Sequence, residues 1–387
     1  MNTVEWTEDW SKVSNLLCIR IGSGAQALLT TPALAAARGG IGACGHLTFL
    51  TTPEGAELVD LIHEVDRTIA YGRTSRPGHA DRDIVERLKE QHFDGAVIFT
   101  EYGQSPFRAA QLCVLAGIPL RLGCSREDPH HLLTHWVPER KAEDFHRHDV
   151  QRQLDLVAEI GWHVADERLR LRVHPAAAAR MDRLLRSEGI DRRQAPWVLI
   201  HPGAGAPSRH YPAPLFARVA AELTRGLGLQ IVFTGSAQDA ELIDGIRSDL
   251  EYPGVSLAGV TTLSELVATI HCAPVLLTNR ALPAHIAASV STPAVILYAL
   301  TDPRHTPWHA ESEVLFHDVP CRYCEDDFCH SGDLRCLSGI EPTAVVAAVN
   351  DVLAMTAWPP RPSLRNCGAG IGVSVDEAFP KELPLAM

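Results

Sequence analysis

Apolar residues in this chain gather in short runs that end abruptly in glycine or polar turns, and between the runs the spacing changes to that of amphipathic helices. The clearest instance is 197–212, WVLIHPGAGAPSRHYP. Val198, Leu199 and Ile200 suit a buried parallel strand, and Pro202, Gly203 and Gly205 force a turn. Pro212 then opens a helix with apolar Leu215, Phe216, Val219, Ala220 and Leu223 on one side. Further strands are predicted at 230–235, 274–279 and 294–298, separated by helical patterns at 240–250, 264–272 and 283–290.

The first half repeats the alternation, with strands at 15–21, 46–51, 68–71, 95–100 and 119–122. Helical spacing falls at 27–37, 54–62, 81–91, 106–116, 143–161 and 176–187. Strands alternating with helices predict an α/β fold of parallel βαβ units, with ligands bound outside the carboxyl ends of the strands. At 387 residues the chain exceeds one ordinary core, so two doubly wound, Rossmann-like domains facing a cleft are expected. The polar stretch 191–194 marks the boundary, giving domains 1–190 and 191–355 and a Pro/Gly-rich tail at 356–387.

Composition narrows the partners. A formal net charge of −12 with no basic block argues against nucleic acid. No apolar run is long enough to span a bilayer and the first residues are polar and acidic, so a cytoplasmic location is expected, with peripheral membrane contact and homo-oligomers both permitted. Of ten cysteines, Cys18, Cys44, Cys113, Cys124, Cys272 and Cys367 are scattered and read as buried, reduced thiols. The other four, Cys321, Cys324, Cys329 and Cys336, form C-x2-C-x4-C-x6-C, a spacing suited to a closed, structural zinc or iron site.

The turn at Gly203 and Ala204 exposes backbone N–H groups at the start of a helical segment, with Arg209 beside it, which suits a phosphate-bearing ligand. A dinucleotide oxidoreductase fits poorly. The first turn, Gly22 to Ala27, lacks the third glycine of that fingerprint, and no acidic residue ends the second strand.

An ordered set of segments resembles glycosyltransferase family nine, the ADP-heptose:lipopolysaccharide heptosyltransferases and their relatives. The set is ALLTTPALAAAR (27–38), HPGAGAPSRHYP (201–212), FTGS (233–236), LAGVTTLSEL (257–266), NRALPAHIAA (279–288), TPAVILYALTDPRHTPW (292–308) and the cysteine cluster. The resemblance runs from about residue 15 to 353 and implies a GT-B fold, acceptor on the N-terminal half and nucleotide sugar on the C-terminal half. It implies an inverting sugar transfer without a catalytic divalent metal, from an ADP-linked donor to a glycan, protein or natural-product hydroxyl. Gly203, Ala204 and Arg209 would hold the donor diphosphate, with His285 nearby, and Thr261, Thr262 and Leu263 would line the nucleoside pocket. Glu241 is a weaker candidate for the ribose. Related autotransporter heptosyltransferases carry iron at a cysteine motif.

Two departures from the family pattern alter the expected chemistry. Where the family has Gly-Asp, its general base, this chain has Ala25-Gln26, and glutamine accepts no proton near neutral pH. Where the family has Asn-Asp-Thr-Gly, it reads Asn279-Arg280-Ala281-Leu282. One reading relocates the base to Glu101, just past the 95–100 strand, with Asp128 and His135 as runners-up. A second makes the chain a catalytically degenerate scaffold or partner subunit, and a third gives it an altered donor gripped by Arg280.

Overall fold

The computed structural model describes residues 10–72, 79–139, 147–190, 196–300, 303–324 and 326–356. The chain divides into two units, Met1–Arg172 and Val173–Met387, each with one six-stranded sheet. In unit 1 the elements run β1 (Asn15–Ile19), α1 (Gly24–Leu29), α2 (Thr31–Ile41), β2 (His46–Thr51), α3 (Pro53–Val59), β3 (Arg67–Ala70), α4 (His79–Gln91), β4 (Gly95–Ile98), α5 (Phe107–Leu115), β5 (Leu120–Ser125), β6 (His135–Pro138) and α6 (Asp149–Ala158). Unit 2 continues with α7 (Pro175–Ser187), β7 (Trp197–His201), α8 (Ala213–Leu227), β8 (Gln230–Phe233), α9 (Ala240–Ser248), β9 (Val255–Ser256) and α10 (Leu263–Cys272). It closes with β10 (Leu276–Asn279), α11 (Leu282–Ser289), β11 (Ala294–Leu297), β12 (Ser312–Leu315), α12 (Arg335–Ser338) and α13 (Pro342–Met355).

Both sheets are parallel throughout and share one strand order: β3-β2-β1-β4-β5-β6 in unit 1 and β9-β8-β7-β10-β11-β12 in unit 2. The chain winds outward from the first strand of each sheet and then returns to its other side. The switch points therefore lie between β1 and β4 and between β7 and β10, where loops diverge and leave a crevice. The central strands are apolar on both faces, as Leu16, Leu17, Cys18 and Ile19 in β1 and Val198, Leu199 and Ile200 in β7 illustrate.

Local departures from the expected elements have identifiable causes. The 27–37 helix is two helices, α1 and α2, because Pro32 in the first turn of α2 cannot donate to the preceding turn. The hydroxyls of Thr30 and Thr31 bond back to the carbonyls of Gln26 and Leu28 at 2.9 and 2.8 Å. The 143–161 helix is shorter; His148 caps its start by accepting from the Val150 N–H at 3.2 Å, and 143–146 fall outside the described residues. Strands β6, β9 and β12 went unpredicted: β9 is two residues, and the other two are short edge strands that their pairing alone defines.

The sequence boundary at 190/191 leaves α7 with the first half, but α7 packs on α10 within unit 2, where Arg180 pairs with Glu265. The polar stretch 191–194 and the tail from 357 on lie outside the described residues. Among the scattered cysteines, Cys18, Cys113 and Cys124 are buried as expected, Cys272 is half-buried, and Cys44 is exposed in the turn after α2; Cys367 lies outside the described residues. Burial pushes the Cys113 thiol up to about 12, so it stays protonated.

Unit 2 is packed around Phe216, Val219 and Leu223 of α8, which meet Val198 and Ile200 of β7 and Val345 and Val349 of α13. Tyr211 and Phe216 meet edge to face with centroids 5.1 Å apart. Phe216→Ala is expected to cost about 3–5 kcal/mol, read as a lowered urea midpoint with far-UV circular dichroism retained in the absence of urea; a shift under about 1 kcal/mol would show that this ring is not a keystone of the core.

Candidate functional site

In unit 2 the sequence-predicted phosphate turn leaves β7 at the switch point. Asn279, fully buried at the end of β10, spans it: the side-chain amide donates to the Pro202 carbonyl at 2.6 Å and its oxygen accepts from the Tyr211 N–H at 3.1 Å. Gly203 has no room for a side chain, since an added Cβ would lie 2.6 Å from the Asp239 carboxylate. Asp239 is itself fixed by the N–H and hydroxyl of Ser236, both at 2.7 Å. Gly259, at φ +67°, donates to the Gly235 carbonyl at 3.0 Å, bringing the loop after β9 onto the loop after β8. The loops after β7, β8, β9 and β10 thus meet on one rim.

The predicted donor residues are distributed unevenly over that rim. Gly203 and Ala204 form the turn, and Ala204 faces His210, whose Nε2 stands 3.1 Å from its N–H and 3.0 Å from its carbonyl. Arg209 lies in a 3-10 turn (Pro207–Arg209), and its Nη2 stands 3.3 Å from Asp327. Arg280 is held between β10 and β11, with Nη2 2.9 Å from His305 Nδ1 and its guanidinium 5.5 Å from the Tyr298 ring centre. His285 is buried in the first turn of α11.

Thr262 is the N-cap of α10 and exchanges hydrogen bonds with Glu265 in a capping box, while Leu263 begins the helix and Thr261 precedes it, half-buried. That capping role occupies both the N–H and the hydroxyl of Thr262. Glu241 is exposed on α9, and among the described residues no hydrogen bond or ion pair links it to the rim.

The cysteine segment docks directly on the Arg209 turn. Ser208 N–H donates to the Asp327 carbonyl at 3.0 Å and Ser208 Oγ to the Asp326 carbonyl at 2.7 Å. Cys321, Cys324, Cys329 and Cys336 all line one cavity of about 50 Å³ there. The Ser331 hydroxyl and backbone N–H groups from Ser331, Gly332 and Leu334 hold the Cys329 thiol below its ordinary value, while burial pushes Cys336 up. As they stand, no three His, Cys, Asp or Glu side chains among the described residues are close enough together to grip an ion.

At the unit 1 switch point the structure brings Gln26 and Glu101 into contact. Gln26 Oε1 accepts from the Ser23 N–H at 2.6 Å, and its Nε2 donates to Glu101 Oε1. Arg20, fully buried at the end of β1, lies 3.7 Å from Glu101 and 2.8 Å from Asp149 of α6, which is buried too. Its Nε and Nη1 have no hydrogen-bond partner among the described residues. Beyond β4, Arg152 donates to the Thr100 carbonyl at 2.6 Å and to Glu139 at 2.5 Å, and Arg126 reaches Glu139 at 2.8 Å.

Sequence reasoning missed Arg20, Asp149, Arg152 and Glu139. The available signal was an arginine closing the apolar run NLLCI, a position where a charge needs a buried partner. The runners-up to Glu101 fare differently. Asp128 is exposed and bonds the His130 N–H at 2.7 Å within its own loop. His135 opens β6, at the end of the parallel sheet opposite the rim, and packs on Trp10 with ring centres 5.5 Å apart.

The chain matches the model of a family described as glycosyltransferase family 9 (heptosyltransferase) over residues 82–333. It is 32% identical over 142 residues to lipooligosaccharide heptosyltransferase 2 of Haemophilus influenzae, a match covering 35% of this chain and 41% of that relative's length. Its fold is similar to the family 9 glycosyltransferase of Veillonella parvula, with a TM-score of 0.76 at 20% identity, covering 89% of this chain and 98% of that one. It is also similar, at a TM-score of 0.51 and 13% identity, to TibC, a dodecameric iron-containing heptosyltransferase solved with ADP-D-beta-D-heptose, covering 88% of this chain and 76% of that one.

Buried His201, at the end of β7, gives the unit 2 site a pH signature. Desolvation lowers its pKa to about 4, the pull of Asp239 offsetting this only partly, so the ring is neutral in the folded chain. The unfolded chain, titrating near the ordinary 6.5, binds the proton first as pH falls. Stability from this group is therefore present above about 6.5 and is lost towards pH 4, on the order of 2–3 kcal/mol. Thermal midpoints measured between pH 7.5 and 4.5, in steps of about 0.5, should fall less steeply for His201→Asn than for the unaltered chain; equal slopes would assign the acid sensitivity elsewhere.

Proposed function

Since this chain belongs to glycosyltransferase family 9, we propose that it moves a sugar from a nucleoside-diphosphate donor, ADP-linked heptose or a related sugar, to a hydroxyl acceptor with inversion. The observation that carries the donor half is the β7 turn, with no room for a side chain at Gly203 and bridged to β10 by Asn279. Arg209 and Arg280, on the loops after β7 and β10, supply the cations a diphosphate needs. His285 on α11 and the loop 261–263 before α10 complete the donor assignment, with Glu241 the weakest member. A glycan, a protein or a natural product serves as acceptor, and the proposed setting is the cytoplasm. Among the described residues no helix is long and apolar enough to cross a membrane.

Glu101 takes the acceptor proton. Gln26 cannot, but its amide donates to Glu101 while its oxygen is committed to Ser23, so it orients a neighbouring carboxylate instead of being one. An acidic residue at both positions would set two like charges against each other. In the step itself the acceptor O–H bond breaks towards Glu101, the oxygen bonds to the anomeric carbon, and the bond from that carbon to the diphosphate breaks with its electron pair. Arg209, Arg280 and the turn amides stabilise the departing charge. A second reading, a non-catalytic partner subunit, is favoured by the contact of Glu101 with both Gln26 and Arg20, which engages the proposed base.

Turnover decides between them. Nucleotide release from ADP-sugars should fall about 100- to 10,000-fold in Glu101→Gln while ADP binding is retained. Binding without turnover in the unaltered chain would instead favour the partner subunit.

The four thiols have the donor chemistry of a tetrahedral zinc or iron site and line one cavity, and at Cys329 the Ser331 hydroxyl and backbone amides favour the ionised form, so the set fits such an ion once the side chains close on it. Such an ion would be structural, tying the segment 321–336 to the Arg209 turn. Elemental analysis of the purified chain should find about one zinc or iron per molecule, with loss in a Cys324→Ser/Cys329→Ser double variant; an equal content in both would exclude the cluster as the site.

A further inference from the structure

We infer that Asp327 gates the donor turn: its carboxylate occupies the Arg209 guanidinium until a nucleoside diphosphate displaces it, and so lowers the chain's affinity for that ligand. The inference rests on the reading of Arg209 as a diphosphate ligand and deepens it.

The acid is built into place. Its own carbonyl and that of Asp326 accept from the N–H and hydroxyl of Ser208, at 3.0 and 2.7 Å. Ser208 is only 4% exposed, so these two bonds form a sheltered staple one residue before Arg209. Cys329, two residues past Asp327, lines the cavity that Ser208 also lines. The Asp326 carboxylate pairs with His330 at 2.7 Å, and the Asp327 carboxylate faces Arg209 at 3.3 Å.

The two sides of the pair differ in freedom. The Asp327 side chain is 68% exposed and that of Arg209 28%, so the acid can swing into water while the arginine stays at the turn. A diphosphate offers more charge and a two-point geometry, and it outcompetes one exposed carboxylate for a guanidinium. Until then Asp327 holds off weaker anions, and once displaced it still stands beside the bound phosphates and repels them.

Binding of ADP and of adenosine by the full chain, measured by calorimetry, tests this with Asp327→Asn and Asp327→Glu. Asp327→Asn should bind ADP about three- to tenfold tighter, the effect of removing one exposed charge, and the gain should shrink in about 0.5 M salt. Asp327→Glu keeps the acid and should bind ADP within about twofold of the unaltered chain, and adenosine, having no phosphate, should not distinguish the three. Unchanged or weaker ADP binding by Asp327→Asn overturns the gate, and so does an equal gain for adenosine. If the unaltered, folded chain binds no ADP, the donor reading falls and the gate with it. If it binds ADP and Asp327→Asn does not differ, the gate alone falls.

Discussion

The side-chain amide of Asn279 joins two strand ends that the topology would otherwise let drift apart. At a switch point the loops after adjacent parallel strands turn to opposite faces, so no backbone ladder continues between them. In unit 2 one buried amide replaces it, donating to Pro202 and accepting from Tyr211. Removing that amide would leave a carbonyl and an N–H buried without partners, at about 1–3 kcal/mol each. The shape of the turn at Gly203, and the place of Arg209 beyond it, follow from this link. Leu or Val in its place would fill the space but could not bond both loops.

Unit 1 closes the same topological gap with charge. Arg20, Asp149, Arg152 and Glu139 are all nearly or fully buried, and their pairs tie β1, β4 and the segment after β6 to α6. Buried ion pairs give little net stability because desolvation offsets attraction, but breaking one by removing a single partner is costly. Their effect is positional: they fix the backbone from which Glu101 projects. The two sheets thus share a strand order yet differ in what bridges the equivalent strand ends, an amide in one and ion pairs in the other.

The departures at residues 26 and 280 are intelligible locally. Gln26 is satisfied at both ends of its amide, by Ser23 and by Glu101, which sets a carboxylate next to it. Arg280 does not project unsupported; Tyr298 and His305 pack around its guanidinium.

Hydrophobic periodicity alone determined the α/β class, the parallel sheets and most helix positions, because burial on a strand or helix face is encoded residue by residue at short range. Residue type and spacing located the turn at Gly203 and the four clustered cysteines, which are local in sequence. Short edge strands escaped, since two to four residues carry no period and only their neighbours' hydrogen bonds make them strands. The tertiary structure decided everything that joins distant residues: Asn279 with Pro202, 77 positions apart; Arg20 with Asp149, 129 apart; Ser208 with Asp326, 118 apart. Such pairings depend on the path of the chain between the partners, which no local pattern records, and they set where charge and donors stand at each rim.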